Sequence, residues 1–189
     1  MNPPPITQAP GAGLPFPQSW FVRMFGRAML RRRRLDDALD DIEAIALRLA
    51  TCAEALTDEW LTTPRLIAPM RGLEDSSRCW SPVMVLEHLS ITGTAMLDMA
   101  LALSQGQPVQ LVVSTASVKP RGEKGREVIE EFRALHLGAR ARLREGWGAD
   151  TAGLLHPHPW FGLLNATDWV RLTAFHLRLH ERQMTRILA

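Results

Sequence analysis

Along most of this chain the apolar positions recur with helical spacing, not with the alternation of strands. From Leu35 to about Trp60, the residues Ile42, Ile45, Leu49, Cys52, Ala53 and Leu56 form one apolar stripe. Asp36, Asp37, Asp40 and Asp41 load its first turns with negative charge, which suits the positive end of a helix dipole. A second long helix is predicted from Ser81-Pro82, a serine N-cap with proline at the first helical position, to about Ser104, before Gly106 and Pro108. Val85, Leu89, Thr92, Met96, Met99 and Leu103 trace its buried stripe, with His88 at the edge. A third is predicted from near Pro120 to about Trp147 on Val128, Phe132, Leu135 and Leu143, with Gly138 marking a kink or break. The fourth opens at Asn165, a good N-cap with Asp168 three residues on, and runs to about Leu188. Trp169, Leu172, Thr173, His176, His180, Gln183 and Ile187 share one of its faces. The segment Gln107–Val118 has no evident strand partner and is expected to be a loop. Four long helices without convincing strands predict an all-α fold, an antiparallel four-helix bundle.

The N-terminal part reads differently. Residues Met1 to about Pro17 are proline-rich, with Gly11 and Gly13, and predict an extended or disordered arm. In SWFVRMFGRAMLRRRR, Trp20, Phe21, Met24, Phe25, Ala28 and Met29 recur at helical spacing, while Arg23, Arg27 and Arg31 fall on another stripe. The expectation is a short amphipathic helix packed on the main body. A helix lying on a membrane surface is the alternative, and Gly26 and the short length argue against it. The chain thus divides into an N-terminal extension, residues 1–34, and a bundle, residues 35–189. Six of its 22 basic residues lie between Arg23 and Arg34, yet the net charge of +2 implies no general pull toward nucleic acid. No apolar run reaches the roughly 18–20 residues that a membrane span needs, and the N-terminus lacks the order of a secretory signal. The two cysteines, Cys52 and Cys79, are expected to be reduced thiols, so the expected location is cytoplasmic. Exposed apolar positions in the N-terminal segment make a homodimer an expected arrangement.

The candidate chemistry lies in histidines. His176 and His180 stand four apart and share a helix face with Gln183. Inward-facing polar groups must be satisfied, because burying them unpaired costs a few kcal/mol. A metal would satisfy both histidines at once, and His88 on a facing helix would complete three ligands. Open three-ligand sites are typically catalytic and closed four-ligand sites structural. Imidazole suits zinc, nickel, copper or iron, with zinc or nickel expected first. The blander reading is that HxxxH pairs are common by chance and that each histidine is a packed core group. His156 and His158 flank Pro157 in a loop expected to pack near the site mouth. His136 is expected on a helix surface. Gln183 reads equally as an outer partner of a ligand, a contact to a bound molecule, or structural filler. Glu87 points about 100° from His88 on a helix, which suits a subunit contact better than a ligand role. The aspartates near Leu35 read as an ion-paired helix start. There is no G-x-S-x-G, Walker loop, Gly-rich dinucleotide turn or C-x-x-C. Position 177 is leucine, so the glutamate of HExxH is missing and a thermolysin-type mechanism is unsupported.

The stretch CWSPVMVLEHL resembles the start of the second helix in the DinB/YfiT-like superfamily. HPWFGLLNATDWVRLTAFHLRLHERQM resembles that family's last loop and last helix, with an HP-x-FG turn, a tryptophan at the helix start and H-x-x-x-H-x-x-Q. The two segments cover roughly a quarter of the chain, in the family's order and spacing. The resemblance implies a DinB-like four-helix bundle and a three-histidine metal site, carried over onto His88, His176 and His180. It also implies a metal-dependent enzyme, since some members are transferases that use low-molecular-weight thiols. A neutral histidine shell would leave the metal's charge uncompensated, and an incoming thiol would be deprotonated as a nucleophile. Water activated in the same way would give a hydrolase. A bundle that binds metal or a small ligand without turnover, and an interaction module working through the arginine-rich segment, are the alternatives. The proline-rich arm, the arginine-rich segment and the Gln107–Val118 segment lie outside the family pattern.

Overall fold

The computed structural model describes residues 3–9, 11–109, 116–149 and 153–189. After the arm, helix α1 spans Gln18–Arg31 and α2 spans Leu35–Glu54. The predicted continuation of α2 to Trp60 does not occur. Thr57 takes an extended conformation, its side chain accepts from the backbone N–H of Trp60, and a separate short helix α3 follows at Asp58–Thr62. α4 spans Pro82–Ser104, capped by Ser81, whose side chain accepts from the Met84 N–H. The predicted third helix is shorter than expected and divides into α5, Glu127–Leu137, and α6, Ala139–Gly146, with the break at Gly138. Its start moves from Pro120 to Glu127 because the chain at Arg121 and Gly122 turns to give its backbone N–H groups to the Glu87 carboxylate, at 3.2 and 3.1 Å. α7 spans Ala166–Ile187 behind a capping box in which Asn165 and Asp168 each accept from the other's backbone N–H.

The fold is an all-α bundle of α2, α4, α5 with α6, and α7. α4 packs on α7, α7 on α2, α2 on α5 and α5 on α4. α2 and α4, neighbours in sequence among the long helices, therefore face each other across the bundle, and the connection between them crosses one end. That connection carries β1, Arg65–Leu66, antiparallel to β2, Cys79–Trp80, and a short 3-10 helix at Asp75–Ser77. A second antiparallel pair, β3 at His156–His158 and β4 at Gly162–Leu164, forms a hairpin before α7. Its turn needs Gly162, at φ +71°. These pairs are too short to show alternation in the sequence. Residues 107–109 and 116–118 are irregular, as expected of a loop, and the centre of that segment lies outside the described residues.

The N-terminal segment departs most from expectation. The arm is extended but docked. Arg78, fully buried, gives Nη2 to the carbonyls of Pro4 and Pro5, each at 2.9 Å, and Nε to Asp75 at 2.6 Å. The Asp75 carboxylate also accepts from the Thr7 and Gln8 N–H groups. α1 packs on α7 and β4, but not through its wide apolar stripe. Gly26 and Leu30 are its buried residues, with Val22 half-buried beside them, while Trp20, Phe21, Met24, Phe25, Ala28 and Met29 face outward. Two forces fix this orientation. Gly26 sits so close to Phe161 that a Cβ there would meet the ring at 2.7 Å. Arg27 and Arg31 reach the fully buried Asp168 carboxylate, with Nε atoms at 3.2 and 3.0 Å, alongside Arg171 at 3.4 Å. The arginine row is therefore only partly paired with the aspartates that follow it. Arg33 bonds Asp41, which also meets Arg178, and Asp40 pairs with Arg140.

Candidate metal centre

His88 comes from α4, and His176 and His180 from α7. The close packing of these two helices follows from their apolar stripes, and it brings one ligand atom of each histidine within 4.8 Å of the others. Nε2 of His176 lies 3.3 Å from Nε2 of His88 and 3.1 Å from Nε2 of His180. His88 and His180 are buried and His176 is half-buried.

The opposite edge of each ring is already committed. Nδ1 of His88 lies 2.7 Å from the Val118 carbonyl, an acceptor, so it carries the proton. Nδ1 of His180 lies 2.6 Å from Oε1 of Gln183, whose amide donates to the Ser77 carbonyl at 2.8 Å. Nδ1 of His176 lies 3.3 Å from the Thr92 hydroxyl, which gives its own proton to the His88 carbonyl at 2.8 Å. All three protons therefore sit on Nδ1, and three Nε2 lone pairs point at one another. Lone pairs that close repel unless a cation lies between them. Two imidazole nitrogens each about 2.0–2.1 Å from a tetrahedral ion stand about 3.3–3.4 Å apart. The spacing and tautomers are compatible with a divalent metal, held by the outer hydrogen bonds that orient histidine ligands.

The electrostatics agree. Burial is the main cause that pushes His88 down to about 4, and the Lys119 charge adds to it against the Val118 hydrogen bond. Burial likewise holds His176 and His180 well below the ordinary histidine value, and the other histidines contribute. The three rings are therefore neutral at pH 7, the form that ligates metal. Trp80 packs over them, stacked on His180 at 5.9 Å between centroids and tilted on His88 at 5.0 Å. Lys119 lies 5.5 Å from the Trp80 ring and pairs with the buried Glu74 at 2.7 Å.

Beside the histidines opens a cavity of about 160 Å³. Met96, Met99, Leu172, Phe175 and Leu179 make it largely apolar. His158 also lines it. Its Nδ1 accepts from the backbone N–H groups of Trp160 and Phe161 at 3.1 and 3.3 Å, so its proton is on Nε2. The HPHP loop thus sits at the cavity wall, as expected, and His158 brings a hydrogen-bond donor with it.

Other expectations change. His136 is not a surface residue: it is fully buried, its Nδ1 donates to the Phe132 carbonyl at 2.9 Å, and its Nε2 meets no partner among the described residues. It lies against Gly93, where a Cβ would approach Nε2 to 2.6 Å. Glu87 is buried and anchors the Arg121–Gly122 turn, so it is not free for a subunit contact. Gln183 is an outer partner of His180. Sequence reasoning gave no role to Trp80, Val118 or the Glu74–Lys119 pair. Trp80 carried a signal, standing just before the N-cap of the helix that bears His88. The carbonyl of Val118 carried none.

A family profile described as the DinB superfamily matches residues 41–184. No curated protein and no solved structure gave a significant match. The matched region takes in α4, α5 and α6 whole, most of α2 and α7, and all three histidines, and the chain belongs to the DinB superfamily.

Proposed function

We propose that His88, His176 and His180 hold a divalent transition metal, zinc or nickel, and that the protein is a metal-dependent enzyme that activates a thiol. The observation that carries this reading is the convergence of three Nε2 atoms on rings whose Nδ1 atoms all have other partners. When bound, such an ion supplies Lewis acidity that lowers the pKa of an incoming thiol or water.

The chain's own residues do the rest. The Val118 carbonyl, the Gln183 amide and the Thr92 hydroxyl fix the ring orientations. Trp80 packs against His88 and His180 and covers that side of the cluster. No carboxylate belongs to the three-histidine cluster, and the buried Glu74 that lines the cavity is paired with Lys119, which reduces its repulsion of an incoming thiolate. The apolar cavity suits a small hydrophobic co-substrate, and the His158 Nε2–H could hold an acceptor atom on it. The cavity reaches His88, His176 and His180, which favours a site open to substrate over a purely structural one. Within this reading, residues 35–189 form the working bundle and residues 1–34 are an addition to it. The free thiols of Cys52 and Cys79 support a reducing compartment.

The test is a conjugation assay with a low-molecular-weight thiol and a small aromatic electrophile, on zinc- and nickel-loaded protein. The expected result is thiol consumption above background that falls at least about 100-fold in His176→Ala. Ester hydrolysis without thiol consumption would replace the transferase reading with a hydrolase.

A further inference from the structure

Exposed large hydrophobic side chains cluster on α1 and the residues just before it. Phe16 is 80 % exposed, Met24 59 % and Trp20 52 %, and Phe21, Phe25 and Met29 are exposed with them. The aromatic rings gather on the surface, Phe25 lying 5.2 Å from Phe21 and 6.1 Å from Trp20 between centroids. At 100° per residue, positions 20, 21, 24, 25, 28 and 29 cover about half of the helix circumference. The stripe that packs on the body, through Val22, Gly26 and Leu30, is the narrower one. A contiguous apolar face of this size marks an interaction site.

Charge selects the partner. Residues 1–35 contain six arginines and no aspartate or glutamate. Arg27 and Arg31 are held by Asp168, and Arg33 by Asp41. Arg23, Arg32 and Arg34 are exposed and make no ion pair among the described residues. On the helix wheel Arg32 falls within the apolar arc near its C-terminal end, while Arg23 lies about 60° outside the arc, next to the packed stripe. The occupant must therefore bury aromatic side chains and neutralise the exposed arginines around them. A second copy would set the same acid-free, arginine-bearing segment against itself. A nucleic acid duplex would offer phosphates but keeps its bases stacked inside, and so has nothing to cover the apolar arc. A lipid surface with anionic headgroups offers both, because acyl chains accept the rings while headgroups meet the arginines. Among the described residues no helix is long and apolar enough to cross a membrane, and the Asp168 clamp holds α1 against the bundle.

We propose that α1, with Phe16, is an anionic-membrane docking face that lies in the lipid interface with Trp20, Phe21, Met24 and Phe25 inserted and Arg23, Arg32 and Arg34 at the headgroups. The opposite side of α1 contributes Val22 to the cavity wall, so docking would set that cavity beside the bilayer.

The experiment is co-sedimentation of the full chain with vesicles of phosphatidylcholine alone and with vesicles enriched in phosphatidylglycerol, at low and high salt. The expected result is binding to the phosphatidylglycerol vesicles, weakened by salt and at least about ten-fold weaker on phosphatidylcholine. Phe21→Ser with Phe25→Ser should abolish binding. Arg23→Glu with Arg32→Glu should weaken it by at least about ten-fold. These side chains are exposed, and an unchanged thermal melt would show that the variants remain folded. Absence of vesicle binding would overturn the proposal, as would binding that survives the double phenylalanine substitution. Sedimentation equilibrium on the same proteins covers the competing occupant. A dimer dissolved by the phenylalanine substitutions, with no vesicle binding by the wild type, would assign the face to a second copy.

Discussion

α1 and α7 touch one another, and both are amphipathic, yet they use their apolar stripes in opposite ways. In α7 the stripe of Trp169, Leu172, Thr173, His180, Gln183 and Ile187 is buried, with His176 half-buried among them. In α1 the richer stripe faces outward and a glycine-centred stripe faces in. Periodicity says that a helix has two kinds of face. It does not say which face meets the body, and in α1 one buried carboxylate and one close glycine contact decide it.

The sharpest way to break this comparison is to make the same kind of cut in both helices. Leu172→Ala should cost about 2–5 kcal/mol, since Leu172 is a buried core residue that also lines the cavity. Met24→Ala should change stability by no more than about 0.5 kcal/mol. Denaturant unfolding of both variants checks this, and equal costs would mean that the α1 stripe is covered. Asp168 joins the two helices. Asp168→Ala should cost about 3 kcal/mol, because it strands three arginines around a buried position and opens the capping box, though the arginines' partial exposure softens the loss. Limited proteolysis should then cut near α1 first. An uncut α1 would show that the clamp is dispensable.

An effect smaller than the Leu172 and Asp168 losses concerns pH. Burial pushes His136 down to about 4, below the ordinary histidine value, so the unfolded chain takes up the proton first as pH falls. The stability contribution is complete above about pH 6.5 and is lost as pH falls toward 4, on the order of 1 kcal/mol at about pH 5.5. His136→Leu should flatten the pH dependence of stability by that amount. An unchanged slope would contradict the burial.

The bundle was legible because its helices carry long apolar stripes and two of them carry clear N-caps, Ser81 and Asn165. The histidine cluster was legible because His176 and His180 share a face with residues that must be buried, while His88 borders another such stripe. What was not legible came from contacts between distant segments. His136 reads as a surface residue until Gly93, on a different helix, leaves room for its ring. Glu87 reads as outward-facing until the Arg121–Gly122 turn comes to meet it. The split of the third helix was signalled by Gly138, but its late start was not, since that depends on the same turn. The strands were missed because pairs of two or three residues carry no period.

The central claim is that the three histidines are ligands, and metal content tests it most directly. Elemental analysis of the purified protein beside His88→Ala and its folded-state control should find about one zinc or nickel per wild-type chain and a large loss in the variant, well over ten-fold in affinity. Wild-type protein that takes up neither metal, or a His88→Ala variant that binds as tightly as wild type, would contradict the account.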